Sequence, residues 1–62
     1  MNKTQELAER LAKNWTQNYT LSGRLAFLKN EEEKDAIFTE AIALGIRDDV
    51  YNLANKIMKG ER

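Results

Sequence analysis

Apolar side chains recur near the start of the chain at Leu7, Ala8, Leu11, Ala12, Trp15 and Tyr19. Steps of three, four and eight place them on one face of a helix. Glu6, Glu9, Arg10, Lys13 and Gln17 fall elsewhere on the wheel. Asn2 with Gln5 three positions on is an N-cap followed by a capping-box partner, so the first helix is expected over 3–19. The pattern breaks at Thr20-Leu21-Ser22-Gly23, where Ser22 has the chemistry of a cap and Gly23 the freedom of a turn residue. Leu25, Phe27 and Leu28 supply enough apolar surface for a short further helix at 23–29, a stretch left open between helix and loop. Asn30-Glu31-Glu32-Glu33 is the strongest helix-start signal, with a cap, a reciprocal partner and acids at the positive end of the dipole. Ile37, Phe38, Ala41, Ile42 and Leu44 then form an apolar face, and Gly45 fits the stop position, so this helix is expected over 31–44. Asp48 or Asp49 is the expected cap of a last helix over 48–59. Its stripe is Val50, Leu53, Ala54 and Ile57, with Tyr51 and Met58 widening it, Lys56 and Lys59 suiting its C-terminal end, and Gly60 closing it. No segment alternates in the manner of a strand. The expected fold is all-α, one small bundle of three main helices spanning 1–62.

Size makes such a bundle marginal. A domain of 62 residues buries only about 60% of the surface of its unfolded chain, roughly 6,000 Å² here. At about 25 cal/mol per Å² of its apolar part, that is worth on the order of 90 kcal/mol. Ordering the chain costs on the order of 90 kcal/mol as well. Disulfides, a metal or association usually supply the remainder. The chain has no Cys and no His, which removes disulfides and the usual zinc, copper and iron sites. Association is the remaining route, and a homodimer its simplest form, because a twofold interface uses one patch twice. No cofactor and no metal are expected.

Catalysis fares no better. Without His or Cys, the nucleophiles are Ser22, the threonines, Tyr19, Tyr51 and the lysines, and acid–base work would fall to carboxylates or lysines in a pocket that shifts their pKa. Glu31, Glu32, Glu33 and Asp35 are the dense carboxylate group. Consecutive residues fan outward by about 100° on a helix, so these acids do not converge on a cation. They read as dipole complementation. The expectation is a non-enzymatic protein.

Residues 40–53, Glu40 through Leu53, resemble a DNA-binding helix-turn-helix: Ala41 four before Gly45, Leu44 just before it, Ile46 just after, then Val50-Tyr51 opening a second helix. The resemblance covers roughly 20 residues and implies major-groove readout by the second helix. Over the wider helix-turn-helix span of 37–57 and the end of its second helix, the polar candidates are Arg47, Asn52, Asn55, Lys56 and Lys59. Two features depart from the motif. The valine comes one residue early, and Asp48 and Asp49 would stand at the groove entrance. Net charge is zero for the whole chain, but residues 31–49 carry seven acids against Lys34 and Arg47. Binding to phosphates needs the opposite sign. Nucleic acid is therefore the alternative reading.

Trp15, Tyr19, Tyr51 and Met58 are the expected partner-binding anchors, since so small a core leaves aromatic area over. With no secretory or membrane-spanning pattern in the sequence, the expectation is a cytoplasmic accessory or regulatory protein of bacterial or phage type. It would act as a homodimer that docks on a larger protein, away from membranes.

Overall fold

The computed structural model of the chain describes residues 2–18, 20 and 22–60. Three helices follow in order: α1 (Lys3–Asn18), α2 (Arg24–Ala43) and α3 (Arg47–Gly60). The described residues hold no strand. This is the all-α bundle that periodicity predicts.

The start of α1 and the end of α2 show how local chemistry sets a boundary. Asn2 Oδ1 accepts from the Thr4 backbone N–H at 2.8 Å, capping α1 as expected. Gln5 does not return to the cap: its Nε2 donates to Glu9 Oε2 one turn on (3.0 Å). At the far end of α2, the Gly45 N–H donates to the Ile42 carbonyl (3.0 Å) and the Ile46 N–H to the Ala41 carbonyl (2.9 Å). That pair of bonds is a Schellman stop, and it needs a left-handed residue at Gly45, whose φ is 71°. Ile46 then packs against the core, the apolar contact that usually accompanies this motif.

Four expectations are corrected. The stretch at 23–29 is neither a loop nor a separate element, because Arg24 to Ala43 is one continuous helix. Asn30 therefore caps nothing: the N–H groups of 31–33 meet carbonyls of the preceding turn, as in any helix interior. Ser22 does not cap either. Gly23 holds the N-cap position at φ 91° with no side-chain cap bond. Asp48 and Asp49 lie in the first turn of α3, one residue too late to cap it. The Val50 N–H bonds to the Ile46 carbonyl (2.9 Å), which makes Ile46 the cap residue, and the two acids complement the dipole.

α1 is the hub. It packs against both other helices, while α2 and α3 touch little beyond the turn that joins them. The core is Leu7, Ala8, Leu11 and Ala12 of α1, Ile37 and Ala41 of α2, and Val50 and Ala54 of α3. Half of these are alanines, which let helix axes approach closely. Phe38, Leu53, Ile57 and Met58 flank this core. Ile42 and Leu44, expected on the buried face of α2, are exposed; Ile42 is 60% accessible. Ile42 lies about 100–140° around the helix from Ala41 and Ile37, and Leu44 is the C-cap residue at the open end of α2.

Two polar contacts fix α1 against α2. Asn14 and Asn30, both buried, bond reciprocally. Asn14 Nδ2 donates to the Asn30 carbonyl (2.9 Å) and Oδ1 (3.0 Å), and Asn30 Nδ2 donates to the Asn14 carbonyl (3.2 Å). Asn30 Nδ2 also lies 3.4 Å from Asn18 Oδ1. Among the described residues no buried side-chain polar atom lacks a partner. At the other end of the pair, Lys3 Nζ sits 2.7 Å from Glu40 Oε2, and Arg10 lies 3.9 Å from Oε1.

The hydrogen bond from Lys3 holds the Glu40 carboxyl below its ordinary 4.5, against desolvation, with the Lys3 and Arg10 charges adding smaller pulls in the same direction as the bond. The same bond, with a second to Glu6, raises Lys3 above 10.5. Stability from Glu40 is thus complete above 4.5 and disappears as pH falls through its lower folded value; stability from Lys3 disappears only as pH rises through its raised value. Both groups are solvent-exposed, so the effect is small. Lys3→Met is expected to lower the urea midpoint slightly at neutral pH and to flatten its decline below 4.5; an unchanged acid limb would show that the pair contributes nothing.

Candidate interaction surface

Three of the four expected anchors, Trp15, Tyr51 and Met58, lie along the contact between α1 and α3. Trp15 and Tyr51 meet edge to face across the α1–α3 seam, ring centroids 5.8 Å apart and planes at 83°. That geometry suits the aromatic quadrupole. Trp15 is half-buried against the core and Tyr51 is 47% accessible. Met58 also packs on the core, with its sulfur 3.4 Å from Thr16 Oγ1. Tyr19 lies outside the described residues.

Three of the helix-turn-helix candidates lie on the outward side of α3. Asn52, Lys56 and Lys59 are exposed, and Asn55 Nδ2 donates to the Tyr51 carbonyl (3.2 Å). Arg47 reaches back to cover the Phe38 ring at 5.7 Å and approaches Asp48 at 3.3 Å. A guanidinium over a ring is a favourable cation–π contact, and it turns Arg47 toward α2. Asp48 and Asp49 occupy the leading turn of α3, the part that would enter a groove.

Along 31–35, Lys34 Nζ binds Glu31 at 2.8 Å. Among the described residues no cluster of three or more acids, His or Cys is placed to hold a metal ion. An open groove of about 630 Å³ runs between α1 and α3, with Ala12, Leu53 and Ile57 as floor and Glu9, Lys13 and Thr16 at its edge. No described helix is long and apolar enough to cross a membrane.

Among the described residues, most of the exposed large apolar side chains lie on α2, where sequence reasoning did not place an anchor. Leu25 is 82% accessible, and Phe27 and Leu28 are nearly half exposed. Positions 25, 28, 32, 35, 39 and 42 form one row along the helix at alternating steps of three and four. Leu28 lies about half a turn around the helix from Ile37. The helix thus carries apolar residues on two sides, one facing α1 and one facing solvent. The signal is present in the sequence but emerges only when the helix is read as continuous through Asn30; a break there separates Leu25 and Leu28 from the row they belong to.

Comparison with protein-family models gives no match, and neither does comparison with characterised proteins or with solved structures.

Proposed function

We propose that this chain is a non-enzymatic protein–protein interaction module that works as a homodimer in the cytoplasm and docks on a larger protein. The observation that carries the reading is the second apolar side of α2, where Leu25, Leu28 and Ile42 stand in solvent. Leu25 and Leu28, one turn apart, form a contiguous exposed apolar patch, the kind of surface that marks an interaction site. Shape adds support. The chain forms a slab of 33 × 28 × 18 Å with a radius of gyration of 11.7 Å, against about 10.6 Å for a compact domain of this length. Its accessible surface is 4692 Å², roughly 600 Å² more than a monomer of its mass typically exposes. Covering that excess in two copies would bury roughly 1,200 Å², the lower edge of specific interfaces. The non-enzymatic part rests on composition, since neither His nor Cys is available to act as base or nucleophile.

The test is linkage between folding and association. Thermal melts over about a hundredfold range of concentration are expected to move upward with concentration, and sedimentation equilibrium to give twice the chain mass. A melt independent of concentration together with a monomer mass would overturn the homodimer.

A further inference from the structure

We propose that two copies of the chain pair antiparallel through the first half of α2, with the twofold axis at Leu28. The pairing rests on the homodimer reading and specifies its surface.

Charge selects the direction. Arg24 stands four residues before Leu28 and Glu32 four after, with Leu25 and Glu31 three before and three after. At 1.5 Å per residue, each charge sits about 6 Å from the axis level, on opposite sides of it. Antiparallel copies crossing at Leu28 therefore bring Arg24 of each level with Glu32 of the other, and Glu31 lies within one turn. A parallel pair would instead set Arg24 beside Arg24 and the 31–33 acids beside their own copies. Like charges so placed repel. Shifting the axis toward Asp35 would lay Leu28 against the acids of the other copy, and a shift in the other direction would move Arg24 away from them. Leu28 as the centre meets both conditions, with apolar residues at the middle and ion pairs at the margins, which is the usual anatomy of an interface.

The pairing uses only surface that the fold leaves open. Leu25 and Leu28 are exposed, as are Arg24 and Glu32. Asn30, Ile37 and Ala41, which hold α2 to α1, face the other way and are buried.

The chain lacks cysteine, so a single introduced thiol reports alone. A residue on a twofold axis meets its own copy, and a disulfide needs Cβ atoms about 4 Å apart. Leu28→Cys is expected to oxidise to a covalent dimer at micromolar concentration, whereas Lys56→Cys, on the exposed outer side of α3, stays monomeric on a denaturing gel. Arg24→Glu is expected to weaken dimerisation about tenfold or more, because two attractions become two repulsions. Adding Glu32→Arg to it restores complementary pairs and should recover most of the loss. Circular dichroism of each variant checks that the helices remain. A wild-type chain that stays monomeric at all concentrations overturns this pairing and the homodimer together. A dimer that fails to cross-link through position 28 and ignores the charge reversal overturns the pairing alone and leaves the homodimer standing.

Discussion

Leu11→Ala is expected to lower stability by about 2–5 kcal/mol, enough to leave much of the population unfolded at room temperature. Leu11 is fully buried at the centre of α1, where the helix faces both neighbours. Only Leu7, Leu11, Ile37 and Val50 are large among the buried apolar residues; the others are alanines. Truncating one of four leaves a cavity that small neighbours cannot fill by moving. A domain of this length typically has about 3–9 kcal/mol to lose. Ile42→Ala provides the contrast. Periodicity alone groups it with Ile37 and Ala41 and would assign it the same penalty, but its 60% exposure predicts a change within about 0.5 kcal/mol. Urea unfolding followed by circular dichroism reads both. Equal losses would mean that α2 presents a different side to α1.

The second large effect is expected at the asparagine pair. Asn14→Leu leaves the buried Asn30 Oδ1 without its donor, and Asn30→Leu does the same to Asn14 Oδ1, while each remaining Nδ2 keeps the other position's backbone carbonyl. A buried polar group without partners costs about 1–3 kcal/mol, so each single variant should lose that much. In the double variant nothing is left unsatisfied, and apolar pairs of similar size are close to neutral. The double change should therefore cost less than the sum of the singles, with a coupling of about 0.5–3 kcal/mol in a double-mutant cycle. Strict additivity would show that the two side chains do not act as a unit. The pair joins positions 16 residues apart, so it also fixes the level at which α1 and α2 meet.

That pair explains the chief departure from sequence expectation. Asn30-Glu31-Glu32-Glu33 has every local mark of a helix start, worth about 1 kcal/mol for the cap. In the fold, Asn30 gives its side chain to Asn14 instead, and the helix runs on through it to Arg24. A local preference of that size is outweighed by the buried amide contacts and by the further helical turns they permit. The same mechanism hid the apolar surface of α2. Leu25 and Leu28 read as part of a separate short element until continuity aligns them with Ile42. Trp15, Tyr51 and Met58 were legible as apolar, but which of their surfaces remain open depends on how α1 and α3 meet, and there Trp15 and Tyr51 largely occupy each other.

The sequence by itself determined the helical class, the single bundle, the apolar face of α1, the cap at Asn2 and the stop at Gly45. Each of these follows from side chains within a few residues of one another, where spacing, capping and backbone freedom act. The tertiary structure alone decided that α2 is one helix and which of its two apolar sides enters the core. Both sides satisfy a helical period, so periodicity cannot choose between them. The choice falls when α1 docks, with Asn14 on Asn30 at one end and Lys3 on Glu40 at the other. Those contacts turn Ile37 and Ala41 inward and leave Leu25, Phe27 and Leu28 in solvent.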